Sequence, residues 1–272
     1  MSTLRDFFHR LRDRLGWITG TAQLGADLSS RAKLLLGGLW FFLNDSWKSD
    51  LRFVAEIDQF GRVLPFYFED IGDFGLFCEI FRSKAYAQSL PEEADVIFDL
   101  GANVGVSALY FRMRYPESTI YCFESDPSNV QRLREQAAMI GDIRIRNVAL
   151  WSSSGSLSFY VDPHRGSLSS VSPVHGRQQE IDVEARTLDS LVKEEHIHEI
   201  DLLKFDIEGA EEEVFTAFDC YDKVNALFGE IHADLCDAEA VFRTLDAHFD
   251  TVKTTPLEIE DRWYVAARRT PK

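Results

Sequence analysis

The chain has 272 residues, 45% of them hydrophobic, enough to bury a full core in one large α/β domain with an N-terminal extension. Its formal net charge of -16 repels polyphosphate backbones, which excludes DNA and RNA as expected partners. The cysteines Cys78, Cys122, Cys220 and Cys236 form no C-x-x-C pair, which argues against a zinc knuckle or disulfide framework and suits reduced thiols in the cytoplasm.

At the N-terminus, Leu4, Phe7, Phe8, Leu11 and Leu15 fall at helical spacing among Arg5, Arg10, Arg12 and Arg14. Such a helix suits docking on the chain's own domain or on a second copy in a homo-oligomer, with peripheral contact to an anionic membrane face as the alternative. The opening residues lack the clean apolar segment of a secretory signal. The longest apolar run, Leu34 to Leu43, is about half the length of a membrane-spanning helix, so no transmembrane span is expected. Residues 1–90 are read as a helical cap, sheet-like near Arg62 to Phe68 and with a short helix within Asp70 to Tyr86; residues 91–272 are read as the ligand-binding domain.

From Asp95 onward, strand and helix patterns alternate, which predicts a mostly parallel sheet covered by helices. Strands are expected at Val96–Leu100, Thr119–Phe123, Ile143–Val148, Leu202–Phe205 and Ala226–Ile231. Helices are expected at Val106–Tyr115, Pro127–Ile140, Leu188–Glu195, Ala210–Phe218 and Ala238–Phe249, the second started by Asp126-Pro127. Leu157–Val161 pairs with Ile181–Ala185, and the long connection from Asp162 to Gln179 is either a substrate lid or a surface excursion. Asp250–Lys253 and Trp263–Ala267 form a terminal antiparallel pair.

The first strand runs into a turn with glycines at its ends, Gly101-Ala102-Asn103-Val104-Gly105. Without Cβ atoms the backbone turns sharply and a ligand approaches closely, facing the first amides of the next helix. Glu124 ends the second strand about 20 residues later, where a carboxylate accepts both hydroxyls of a ribose. Asn103 stands where a dinucleotide fingerprint has its middle glycine, which weakens a pyrophosphate reading. Asp99, two residues before the turn, suits the cationic amino-acid end of S-adenosylmethionine, which carries no phosphate. The same turn also occurs in other α/β proteins, so on residues alone a nicotinamide oxidoreductase and a non-catalytic binding protein stay open.

The segments Asp99-Leu-Gly-Ala-Asn-Val-Gly105, Glu124-Ser-Asp-Pro-Ser-Asn129, Asn147-Val-Ala-Leu150 and, most specifically, Asp201-Leu-Leu-Lys-Phe-Asp-Ile-Glu-Gly-Ala-Glu211 resemble the successive motifs of FkbM-type S-adenosylmethionine-dependent methyltransferases. The resemblance implies a Rossmann-like class I methyltransferase fold, with a mostly parallel seven-stranded sheet and a terminal antiparallel pair, preceded by the cap. It implies O-methylation of a hydroxyl on a sugar, glycan or natural-product metabolite. Carried over, it assigns the cofactor to Asp99, Gly101, Ala102, Asn103, Gly105, Glu124 on the ribose, Ser125 near the adenine, Asn147, Val148 and Ala149 as an adenine wall, and Asp206 by the reactive methyl. Asp206, Glu208 and His232 are the expected catalytic residues, with Glu211, Glu230 and Lys204 nearby. The acids also admit a magnesium ion, but an acid–histidine network without an obligatory metal is the expectation.

Overall fold

The computed structural model describes residues 15–43, 52–82, 86, 89–161, 179–257 and 261–270. They fall into two compact units that divide after residue 83. The amphipathic stretch Leu4–Leu15 and the connection Asp162–Gln179 lie, apart from the last residue of each, outside the described residues. Among the described residues, no helix is long and apolar enough to cross a membrane.

The first unit contains α1 (Leu28–Leu43), the hairpin β1 (Phe53–Gln59) and β2 (Arg62–Phe68), and α2 (Ile71–Arg82). Alternation buries Ala55 and Ile57 from one strand and Phe66 and Phe68 from the other, and Phe68 meets Phe77 of α2 edge-on with ring centroids 5.2 Å apart. At the two-residue turn, Phe60 and Gly61 both have left-handed φ, 54° and 73°, the hand that matches strand twist. β1 is a full strand in a stretch where the sequence leads to none being expected.

The second unit begins with β3 (Val96–Leu100), α3 (Val106–Arg114), β4 (Thr119–Glu124), α4 (Pro127–Ile140) and β5 (Ile143–Asn147). A small side sheet follows, built from β6 (Ala149–Leu150), β7 (Gly155–Val161) and β8 (Gln179–Arg186). After α5 (Leu188–Glu194) come β9 (Ile200–Phe205), α6 (Glu211–Ala217), β10 (Val224–His232), α7 (Ala238–His248), β11 (Thr251–Pro256) and β12 (Arg262–Arg268).

Seven strands form one sheet in the order β11-β12-β10-β9-β3-β4-β5. β5, β4, β3, β9 and β10 are parallel, whereas β12 is antiparallel to both β10 and β11. This is the expected class I sheet with its terminal antiparallel pair. Strand order reverses between β3 and β9, and open α/β sheets bind ligands at the carboxyl ends beside such a reversal. Helices on both faces make the central strands nearly all apolar: Phe98, Leu100, Leu203 and Phe205 are fully buried. The buried polar exceptions in these two strands are Asp99 and Lys204, which stand opposite each other in the β3–β9 register.

Local chemistry fixes where these elements begin. Asp126 caps α4 by accepting the Ser128 N–H at 2.8 Å, with Pro127 in the first turn, as expected. Asp201 Oδ2 accepts the Asp95 and Val96 amides at 2.9 and 3.0 Å, tying the starts of β9 and β3 together.

Candidate active site

The turn after β3 is held by its own backbone. Gly101, Asn103 and Gly105 have φ of 75°, 49° and 95°. A Cβ on Gly101 would lie 1.8 Å from the Asp206 carbonyl oxygen, and one on Gly105 would lie 2.7 Å from Leu133 Cδ1. These glycines thus let the turn pack directly on the end of β9 and on α4. The Gly101 and Ala102 amides donate to the Phe123 carbonyl at 2.9 and 3.1 Å, and Gly105 donates to Ala102 at 2.9 Å. Asn103 N–H donates to Glu124 Oε2 and Val104 N–H to Asn103 Oδ1, both at 2.8 Å. A pyrophosphate cradle needs unspent amides, and this turn has spent them.

Beneath the turn lies a buried ion pair. Asp99 Oδ2 accepts from Ser107 Oγ at 2.6 Å, and Asp99 Oδ1 is 3.1 Å from Lys204 Nζ. Lys204 Nζ also donates to the Gly101 carbonyl at 2.8 Å. Burial works against the Lys204 ammonium, but Asp99 and Asp206 raise its pKa above the ordinary lysine value. Asp99, expected beside the amino-acid end of the cofactor, is fully buried and acts on the turn from below.

Glu124 is also buried, and its two oxygens are each fixed by an amide: Oε2 by Asn103, and Oε1 by Asp126 at 2.9 Å. The Asn129 side chain also hydrogen-bonds to this carboxyl. Burial, partly offset by these amides, pushes its pKa up to about 7. Asn147 Nδ2 donates to the Glu124 and Ser125 carbonyls, both at 2.9 Å, and so shapes the turn that carries half-buried Ser125. Val148 packs in the main core and Ala149 in the small-sheet core. The side chains of the expected adenine wall are thus committed inside the protein.

The second constellation forms where β9 and β10 end side by side. Glu208 and Gly209 turn the chain with consecutive left-handed φ of 48° and 99°, a conformation that costs a residue with a Cβ roughly 1–2 kcal/mol. His232 is fully buried. Its Nδ1 lies 2.9 Å from Oε1 of Glu211, another fully buried residue, whose Oε2 accepts the Gly209 N–H at 3.1 Å. His232 Nε2 lies 3.2 Å from Glu208 Oε2, 3.6 Å from Glu230 Oε1 and 3.8 Å from Asp206 Oδ1. Arg262 Nη1 takes Glu230 Oε1 at 3.2 Å.

Burial opposes charge on His232, but the hydrogen bond and field of Glu211, with Glu208 and Asp206, outweigh it and raise its pKa to about 10. Burial and Asp206 push Glu208 up to about 8, against the pull of His232 and Arg262. The structure therefore brings Asp206, Glu208 and His232 together and adds two residues to the picture. Glu211, one acid among several in the sequence, is the partner of His232. Arg262 is absent from the sequence reading; it stands opposite His232 in the β10–β12 register, which no local pattern reveals.

A family model described as the methyltransferase FkbM domain matches residues 99–253. Methyltransferase 1 of Beauveria bassiana (strain ARSEF 2860) is 26% identical over 187 residues, covering 61% of this chain and 74% of that protein. The 2-O-methyltransferase NoeI of Sinorhizobium fredii is 32% identical over 142 residues, covering 46% of this chain and 58% of that protein. The hexuronic acid methyltransferase AglP of Haloferax volcanii is 27% identical over 182 residues, covering 65% of this chain and 72% of that protein.

Proposed function

Because the chain belongs to the FkbM methyltransferase family and draws its methyl group from S-adenosylmethionine, we propose that it methylates a hydroxyl of a sugar, glycan or natural-product metabolite. The observation that carries this reading is the acid–histidine cluster at the strand ends beside the reversal of strand order, where Asp206 Oδ1 is buried without a hydrogen bond. Relatives named for a 2-O position and for hexuronic acid support a sugar-type acceptor.

The residues fit this donor. It needs no phosphate cradle, and the turn has no amides to spare for one. Glu124, positioned by the amides of Asn103 and Asp126, is the group that meets the ribose diol. Gly101, Ala102, Asn103 and Gly105 line the donor's path as backbone, Asp99 props that backbone through Lys204, and Ser125 with the backbone of Asn147, Val148 and Ala149 borders the adenine. Asp206 faces the donor's positive charge.

When bound, S-adenosylmethionine supplies an electrophilic methyl on a good leaving group. What the chain must add is alignment and removal of one proton from the acceptor oxygen. Asp206, at the end of β9, is the group that draws the hydroxyl proton away, while His232, locked by Glu211, fixes the cluster around it. The free thiols of Cys78, Cys122, Cys220 and Cys236 support a cytoplasmic setting.

The test offers purified protein and methyl-labelled S-adenosylmethionine to uronic-acid glycans, neutral glycans and hydroxylated metabolites, and reads O-methylated products by mass spectrometry. Asp206→Asn is expected to lower turnover by about 100- to 10,000-fold with S-adenosylhomocysteine affinity nearly intact. Glu124→Ala is expected to cost about 1.5–3 kcal/mol of cofactor binding and spare the chemistry. Methylation confined to nitrogen or carbon acceptors, or full activity in Asp206→Asn, overturns the proposal.

A further inference from the structure

We propose that Asp206, Glu208 and His232 form a divalent metal-ion site that takes a first-row ion such as Mn²⁺ and presents it to the acceptor hydroxyl. The role rests on the O-methyl transfer proposed above; the site itself rests on geometry.

One ligand atom from each of the three residues can be chosen so that all lie within 4.8 Å of one another. An ion with bonds of roughly 2.0–2.2 Å sets its neighbouring ligands about 3 Å apart and opposite ones about 4.3 Å apart. His232 Nε2 to Glu208 Oε2 at 3.2 Å and to Asp206 Oδ1 at 3.8 Å fall within that span. The carboxylates therefore surround a point that one ion can share with the imidazole without moving the strands.

The histidine supplies the independent sign. His232 is fully buried, its Nδ1 is engaged by Glu211, and its Nε2 makes no hydrogen bond although it is aimed at Asp206 and Glu208. A ligating histidine is characteristically oriented in this way, with the far nitrogen held by a carboxylate so that the near one offers its lone pair to the metal. Glu211 is itself anchored by the Gly209 amide, so the orientation is rigid. Asp206 Oδ1 is the second buried atom there without a hydrogen bond. Two such atoms facing one point leave a polar demand that a cation meets.

Charge and donor type narrow the ion. Asp206, Glu208, Glu211 and Glu230 converge on His232, and Arg262 engages Glu230, which leaves Asp206 and Glu208 to bind. One imidazole nitrogen with two carboxylate oxygens is softer than an all-oxygen calcium or magnesium cage and lacks the thiolates of a structural zinc site. Mn²⁺ accepts both donor types and in octahedral coordination keeps positions for further oxygens. With an ion in place the two carboxylates would serve as its ligands and not as bases, and an acceptor hydroxyl bound there would lose its proton to solvent water; its lone pair would then form the new carbon–oxygen bond as the methyl–sulfur bond breaks and leaves its pair on sulfur.

The full chain, stripped with a chelator and dialysed, is titrated with Mn²⁺ and the free ion is read by electron paramagnetic resonance. One saturable site per chain is expected. Glu208→Gln and Asp206→Asn should weaken it at least 10-fold, and Glu211→Gln, which only releases the histidine, by about 10- to 100-fold. S-adenosylhomocysteine binding measured on each variant reports whether the fold is intact, and the half-buried Asp206 and Glu208 make Asp206→Asn and Glu208→Gln safer than a change at the fully buried Glu211. Absence of a saturable Mn²⁺ site, or equal affinity in the two carboxylate variants and the wild type, overturns the site. Turnover undiminished in chelator overturns its role and leaves O-methyl transfer standing. Saturable Mn²⁺ binding with no O-methylated product from any acceptor upholds the site and overturns the reading of the reaction.

Discussion

Lys204→Met removes the cation beneath the Gly101–Gly105 turn. Lys204 and Asp99 are both buried, and their charged atoms are 3.1 Å apart. At an effective dielectric near 20 that separation corresponds to about 5 kcal/mol of attraction. Forming the pair repays little of this, because burying both charges costs nearly as much, but removing one partner strands the other. Asp99 then keeps only the Ser107 hydroxyl at 2.6 Å, and the expected loss is about 3–5 kcal/mol. In a unit of this size each kcal/mol lowers the melting temperature by roughly 2–4 °C, so a fall of roughly 6–20 °C is expected in calorimetry at pH 7. Adding Asp99→Asn removes the stranded charge, keeps an acceptor for Ser107, and should recover at least half of the loss. A single variant within about 1 kcal/mol of wild type, or a double variant no more stable than the single, refutes the ion pair as the support of the turn.

Two other perturbations test the site's frame. Glu124, with its pKa raised to about 7, is fully stabilising in its protonated form below the unfolded value near 4.5, and that contribution is lost as pH rises through about 7. The wild type should therefore lose about 3 kcal/mol relative to Glu124→Gln between pH 4.5 and pH 8; parallel stability curves from denaturant melts would falsify the burial argument. Gly101→Ala and Gly61→Ala start from nearly equal φ, 75° and 73°, but a Cβ meets the Asp206 carbonyl at 1.8 Å in the first and nothing within 4 Å in the second. Gly61→Ala should cost only the left-handed penalty of roughly 1–2 kcal/mol, and Gly101→Ala at least about 2 kcal/mol more, with equal melting temperatures counting against direct packing of the turn on β9.

Local signals were the legible ones. Asp126-Pro127 marks the start of α4 because cap and first-turn proline are adjacent in sequence, and the apolar runs ending in Asp99, Glu124 and Asp206 mark parallel strands because burial on both faces excludes polar residues. β1 was hidden because its turn places Phe60 in a left-handed position usually taken by asparagine or glycine, so the hairpin carries no familiar turn dipeptide. At the site, Asp206, Glu208 and His232 could be grouped because each lies at or just beyond the end of a predicted strand. The pairing of Asp99 with Lys204 and the placement of Arg262 depend on strand neighbours 105 and 30 residues apart in the register, Asp99↔Lys204 and His232↔Arg262. The reason for Gly101 is of the same kind, since the atom it avoids belongs to Asp206.

That contact has a mechanical consequence. The Gly101 turn and the Asp206 carbonyl are pressed together with no side chain between them, and the Asp206 amide donates back to Leu100 at 3.0 Å. Under the proposed function the supports of donor and acceptor meet at this one backbone joint, so a displacement of the joint would carry both together and leave the distance across the transferring methyl unchanged.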